Sequence, residues 1–385
     1  MAKIVFNEIS TASPDLLIIA GEHSGDEHGA RLVRRLKAIH PHHHICAIGG
    51  NRLKETDVDF LFNLVEFSVV GIVEVLRNIH FFSRILKIIC HWVECYQPKA
   101  ICFIDFPGLN LRVARELFRR KVSHKAGGKV KLYHYISPQI WAWKAKRRFM
   151  IAKYIDALGV IFPFEKECYG DTDLDVQFLG HPFVAEDYAL PVIYDSDGPV
   201  LLLPGSRDAA VSRIFPTMLQ TVRRLRKSGD GREVVVIYPD EEILATLRRI
   251  GKSYGDIAPT FIPSGTVTVR VSAALMSSGT MALNCALGGI PSIIIYRANV
   301  LTYGLARALI RVKFLHIANI LLQRESAPEF VQFAAKPKLI CRALREALND
   351  PAVRLRAEKD GEELRQILSS DPQNDIVTWI QRALT

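Results

Sequence analysis

The sequence contains no uninterrupted apolar run approaching ~18 residues, so no segment is expected to span a bilayer. Its first residues, MAKIVFNEISTASPD, lack an apolar h-region, and no secretory signal is expected. Seven cysteines lie scattered with no CxxC pair. That excludes a disulfide framework or a thiolate zinc site and points to reduced thiols in a cytoplasmic protein. The first glycine-rich turn, GEHSGDEHG, is neither GxGxxG nor a Walker A loop ending in GK[ST], so simple ATP or dinucleotide binding finds no support there. Acidic residues are the scarcer charge: 40 against 50 lysines and arginines, a net charge of +10. Such a balance suits an anionic partner: nucleic acid, nucleotide or acidic membrane surface. What remains is 385 residues, 49% hydrophobic and 23% charged. That is an ordered globular chain long enough for two domains.

Short apolar runs alternate with helical patterns. Leu17–Ala20, Ile45–Ile48, Ala100–Ile104, Lys131–Ile136, Ala157–Ile161 and Val176–Leu179 read as buried strands. This is the rhythm of βαβ units and a parallel sheet. It pauses at the polar stretch AEDYALPVIYDSDG (residues 185–198) and restarts with PVLLLPGSR, EVVVIY, ALMSSGT and PSIIIY. The expectation is an α/β chain of two doubly wound domains, residues 1–190 and 191–353. The helical tail from about Arg354 to Thr385 completes the first.

Three turns at predicted strand ends carry the candidate chemistry. In GEHSGDEHG, Glu22 and Ser24 flank Gly25. The turn either serves packing or faces a cleft with both side chains offered to a polar ligand. In LLLPGSRDAAV, Gly205 lets a ligand approach the backbone. Ser206 is suited to cap the next helix and Arg207 to fork onto phosphate. In ALMSSGTMALNCAL, Ser278, Gly279 and Thr280 open a helix whose N-terminus either receives an anion or is an ordinary cap. A fourth strand end, FIDFPGLN, offers Asp105 as a general base or as a helix cap. His134, Trp141 and Trp143 interleave with Lys144, Lys146, Arg147 and Arg148. That mixture occurs in single-strand nucleic-acid sites, but one short span after a strand better fits a helix start beside a cleft. The histidines at 40 and 42–44, and the DTD and DSD triplets, read as solvated loops and not as metal ligands.

The segment GIVEVLRNIHFFSRILKIICHW (residues 71–92) has three faces at 100° per residue. Ile72, Val75, Leu76, Ile79, Phe82, Leu86, Ile89 and Val93 form a core stripe. Arg77, His80, Arg84, Lys87 and His91 form a basic one. Phe81, Ile85, Ile88 and Trp92 lie beside the basic stripe, where an interfacial helix would insert them into an anionic membrane surface. The other reading is that the fold, or a second copy in a homodimer, covers them.

Together these motifs resemble the lipid-A-disaccharide synthase family. The resemblance rests on AGEHSGD, VVGIVEVL, CFIDFPGLN, HYISPQIWAWKAKR, FPFEKECY with FLGHP, LLLPGSR, SSGTMALNCAL and HIANILLQRESAPEFVQ. It implies a GT-B-like fold, two Rossmann-like halves facing a cleft with the C-terminal helix crossing back to the first. It implies UDP-2,3-diacylglucosamine as donor and 2,3-diacylglucosamine 1-phosphate (lipid X) as acceptor. Transfer would need no cofactor or metal, at the cytoplasmic face of the inner membrane of a Gram-negative bacterium. No nucleic acid is implied as a partner.

Carried onto this chain, the resemblance makes Asp105 the base and Arg207 a required cation. It turns Ser278, Gly279 and Thr280 toward UDP, and places Asn319, Glu329 and Gln332 on the donor side. Two positions depart from the family pattern. Gly108 stands where a second aspartate is frequent. Asn284 replaces a glutamate that in GT-B enzymes commonly binds ribose, and it offers a hydrogen bond without charge. The alternatives are another GT-B enzyme, an epimerase or a lipid-linked sugar transferase, and a catalytically silent UDP- or lipid-binding relative. Epimerisation without a lipid acceptor marks the former. UDP binding without turnover marks the latter.

Overall fold

The computed structural model describes residues 4–67, 79–299 and 313–385. They form two compact units. One reaches to Pro182 and resumes at Leu368–Thr385; the other runs Phe183–Ile367.

In the first unit the described strands are β1 (Leu16–Ala20), β2 (Ile45–Gly49), β3 (Asp59–Asn63), β4 (Ala100–Ile104), β5 (Lys131–Tyr135), β6 (Ala157–Val160) and β7 (Asp175–Phe178). They pair in the order 3-2-1-4-5-6-7, all parallel. A parallel sheet covered on both faces needs strands apolar on both sides, which is why β1 reads LLIIA without alternation. Leu17 and Ile19 face one core, Leu16 and Ile18 the other, and all four are fully buried. Helix α1 (His23–Ile39) covers the second face with Leu32, Val33 and Leu36. The last described helix, Ile376–Leu384, covers the same face. Its Trp379 ring lies 4.8 Å from Tyr133.

Helix α2 (Ile79–Tyr96) covers the first face and corrects the expected membrane stripe. Ile85 is fully buried and Trp92 is 7% exposed, both inside the core with Ile89 and Val93. Phe81 and Ile88 are half-buried against the same core, and Phe81 stacks on Phe67 at 4.7 Å. The apolar arc is wider than one stripe because the helix packs on the sheet and on α3 (Pro107–Arg119) together. His80, Arg84, Lys87 and His91 do face solvent. Ile72, Val75, Leu76 and Arg77 lie outside the described residues.

The second unit holds β8 (Val192–Tyr194), β9 (Val200–Leu203), β10 (Val234–Tyr238), β11 (Thr260–Pro263), β12 (Val269–Val271), β13 (Ala273–Met276), β14 (Ser292–Tyr296) and β15 (Glu329–Val331). Its main sheet is parallel in the order 11-10-9-13-14-15, and β12 pairs β8 apart from it. Helix α4 (Asp208–Lys227) buries Val211, Phe215, Met218 and Val222 against the sheet. A long helix, Pro351–Leu368, reaches further than the expected boundary at 353. It is tied to this unit by Arg354 donating to the Gly289 carbonyl and by Arg365 donating to the Leu287 carbonyl. Gly361 makes the close approach: a Cβ there would stand 2.8 Å from the Ala286 carbonyl oxygen.

Candidate active site

In both sheets the strand order reverses once, between β1 and β4 and between β9 and β13. Ligands of open α/β sheets bind outside the carboxyl ends of the strands at such a reversal. The chain places its polar turns at both.

In the first unit β1 runs into Gly21 and Glu22, and β4 into Asp105. A Cβ on Gly21 would collide with the Phe106 ring at 2.1 Å, so only glycine lets the two turns close on each other. Asp105 and Phe106 both adopt left-handed backbone, φ 45° and 46°. Such geometry costs about 1–2 kcal/mol per residue and needs support from its surroundings. The Asp105 amide donates to the Tyr135 carbonyl at 2.9 Å, and the buried Asn110 side-chain amide donates to the Asp105 carbonyl at 2.8 Å. Pro107 then starts α3 with its φ already set.

The turn holds the Asp105 carboxyl half-buried. Burial raises its pKa to about 6, the Glu22 carboxylate adds to the rise, and the Phe106 amide opposes it. Glu22 caps α1 with extended backbone and makes no side-chain capping bond, so its charge is left toward Asp105. Ser24 is exposed on the first turn of α1, and Gly25 is buried against β4. The aspartate of the same turn is structural, because Asp26 accepts from the amides of Gly50, Arg52 and Leu53.

Glu165, which no sequence argument singled out, is 2% exposed and accepts from the amides of Ile161 and Phe162 after β6. Burial pushes it up to about 8 against those two amides, and Asp105 contributes to the rise. His134 is fully buried in the core of β5, where burial lowers its pKa to about 4 against a backbone hydrogen bond at Ile136. It is a neutral core residue and not part of a stacking surface. Gly108 is exposed, with nothing within 4 Å of an added Cβ.

In the second unit Gly205 has φ 114°, open to glycine alone, and a Cβ there would stand 3.2 Å from the Ser277 hydroxyl. The turn after β9 and the turn after β13 thereby meet. They line a cavity of about 220 Å³ with Gly205, Ser206, Ser277, Ser278, Gly279 and Thr280. The end of β10 adds Ile237, Tyr238 and Pro239, and Ser264 follows β11. These contributors were legible only as neighbours in sheet order. Two helices begin at these turns, α4 with Arg207 as its first cap and α5 (Thr280–Leu287) with Gly279. Neither has a side-chain capping bond, so their leading amides keep the partial positive charge of a helix N-terminus. Ser206 therefore precedes the cap and is not itself the cap. The Ser278 hydroxyl donates to the Leu315 carbonyl at 2.8 Å.

Four expected ligand residues are committed to the protein instead. Asn319, fully buried in α6 (Ile317–Leu322), uses its whole hydrogen-bonding capacity. Its amide donates to Ala327 and Glu329, and its oxygen accepts from the amides of Ser326 and Ala327. Glu329 also accepts from the amides of Leu315 and His316. Gln332 pairs twice with the Ala298 backbone. Asn284 is 2% exposed, lies off the cavity wall, and accepts from the Tyr188 hydroxyl at 2.9 Å. These side chains position loops around the cavity.

The architecture and the turns have known counterparts. The calicheamicin glycosyltransferase aligns with a TM-score of 0.54 at 13% identity, over 96% of this chain and 98% of that one. A putative UDP-N-acetylglucosamine 2-epimerase from Listeria monocytogenes aligns at 0.58 and 10% identity, over 90% and 91%. At such identities the likeness shows the GT-B fold alone. Closer similarity comes from sequence. Lipid-A-disaccharide synthase of Geobacter sulfurreducens is 36% identical over 357 residues, 88% of each chain. Lipid-A-disaccharide synthase 1 of Legionella pneumophila is 34% identical over 355 residues, 87% of this chain and 88% of its own. The family model described as lipid-A-disaccharide synthetase matches residues 16–376, a span that takes in both switch-point turns, and the chain belongs to the lipid-A-disaccharide synthase family of glycosyltransferases.

Proposed function

We propose that the protein transfers a 2,3-diacylglucosaminyl group from UDP to the 6-hydroxyl of 2,3-diacylglucosamine 1-phosphate, with inversion and without a metal. The observation that carries this reading is Asp105. A carboxyl at a switch-point strand end, held by strained backbone and raised to about 6, is a base that is ionised at neutral pH and still basic enough to take a hydroxyl proton. As the acceptor oxygen attacks the anomeric carbon, the C–O bond to UDP breaks and the proton passes to Asp105. The electron pair of that bond leaves on the β-phosphate oxygen, adding a negative charge to the two the diphosphate already carries. Arg207 and the leading amides of α4 and α5 supply the countercharge that a metal supplies elsewhere. Glu22 raises the basicity of Asp105. Both substrates are acylated, so the reaction belongs at the cytoplasmic surface of an anionic membrane. No described helix is long and apolar enough to cross one.

The test is mass spectrometry after incubating purified protein with both acylated sugars. A disaccharide 1-phosphate and UDP are expected in equal amounts. Epimerised donor without the lipid acceptor, or UDP binding without product, overturns the proposal.

A further inference from the structure

With Ile85 and Trp92 inside the core, three of the five large apolar residues exposed among the described residues of the first unit stand together, apart from Val5 and Ile39. Trp143 is 48% exposed, Phe149 49% and Met150 36%, all within eight residues. They belong to the loop after β5 and to the helix Arg147–Tyr154. That helix buries Ile151 and Ala152 in the core and leaves Phe149, Met150 and Lys153 outside. Cations accompany the exposed rings. Lys144 Nζ lies 4.2 Å from the Trp143 ring centre, and the Arg147 guanidinium lies 6.0 Å from it. The Arg148 guanidinium stands 4.3 Å from the Phe149 ring while pairing with Asp171 at 2.5 Å. Lys146 is exposed between them.

A monomer gains nothing from three large apolar side chains set in water. An aromatic ring flanked by lysine is, however, the composition of a helix that lies in a lipid interface. The rings insert at headgroup depth and the ammonium groups pair with phosphate. Its place in the fold adds a reason. β5 is the neighbour of β4, so this loop leaves the same carboxyl edge that carries Asp105.

We propose that the Trp143–Met150 surface is the docking face of the first unit on an anionic lipid bilayer. It rests on the membrane location given above, not on the reaction, because the test needs neither sugar. Protein is floated with vesicles of phosphatidylcholine alone, or with a third phosphatidylglycerol, and tryptophan emission is recorded. Wild type is expected to float with the anionic vesicles only, to detach in high salt, and to shift its emission to shorter wavelength. Trp143→Phe should still float but lose that shift, since Trp92 and Trp379 are buried and Trp141 packs edge-on against Phe164. The double variant Trp143→Ser, Phe149→Ser and the charge reversal Lys144→Glu, Lys146→Glu should each lower binding about tenfold or more with unchanged melting. Ile39→Ser, at an exposed apolar residue outside the patch, should bind as wild type. Equal flotation of either double variant overturns the proposal. So does equal binding to neutral vesicles. Normal flotation with a raised KM for the lipid acceptor also overturns it and assigns the patch to the acceptor.

Discussion

Asp105→Asn keeps the shape of the side chain, removes the base and relieves a buried charge. Its effects on rate and stability should therefore run in opposite directions. The rate should fall ~100- to 10,000-fold, as expected when a general base is lost. Stability should rise. The carboxyl moves from an ordinary 3.8 to about 6 on folding. At about 1.4 kcal/mol for each tenfold change in acidity, holding it ionised costs the folded state about 3 kcal/mol at neutral pH. The penalty is complete above pH 6 and vanishes below the unfolded value, so the gain of the variant should shrink between pH 6 and 4. Asparagine also tolerates left-handed backbone, so φ 45° does not oppose the change. Urea unfolding of both proteins at pH 4, 5, 6 and 7.5 measures the stability effect. Single-turnover transfer measures the rate. The wild-type rate should rise with pH through an apparent pKa near 6, and UDP affinity should be unchanged in the variant. A variant that keeps more than about a tenth of the rate, or that is less stable at pH 7.5, would refute the assignment of Asp105 as a buried base.

Three further outcomes are expected. Turnover should survive EDTA and gain nothing from added magnesium; loss with EDTA and rescue by magnesium would require a metal-bound diphosphate. Gly205→Ala should lose about 1–3 kcal/mol of stability, because φ 114° and the Ser277 hydroxyl both oppose a methyl group, and calorimetry should show weaker UDP binding. Asn319→Ala should cost about 2–4 kcal/mol in denaturant unfolding, since it strands the buried amide and carbonyl of Ala327 and the half-buried amide of Ser326. A normal melt with only a raised donor KM would show instead that Asn319 touches the donor.

The strands at the centre of each sheet were legible because they are buried on both faces. LLIIA, AICFI and VLLL can hardly be anything else in a chain of this kind. Of the edge strands only β7 was read; β15, for one, is EFV, led by a carboxylate whose partners come from residues 315, 316 and 319. The switch-point turns were visible as glycine and hydroxyl residues after apolar runs. What those runs could not disclose is which polar atoms are already spent. Asn319 and Glu329 look like ligands until their partners are known. The amphipathic helix failed for a related reason. A 100° projection orders residues around an axis but does not say how many neighbours wrap it, so Phe81 and Trp92 looked like a free face. Glu165 lacked any local signal, because its raised pKa comes from burial after β6 and not from its neighbours in sequence.

The helix Ile376–Leu384 has a consequence for how the chain is made. It seats Trp379, Ile380 and Leu384 against Leu16, Ile18 and Tyr133, yet all of the second unit is translated before it. While the ribosome works through that unit, the first sheet waits with this face covered by α1 alone, and its share around Tyr133 is left open. The seat is shaped to receive an aromatic: a Cβ on Gly159 would stand 3.3 Å from the Trp379 ring. The first unit therefore begins folding early and closes last, and its vulnerable interval lasts as long as synthesis of its neighbour. A nascent chain arrested before Leu368 should be a chaperone client or a protease substrate even though every described strand of its first sheet has been made.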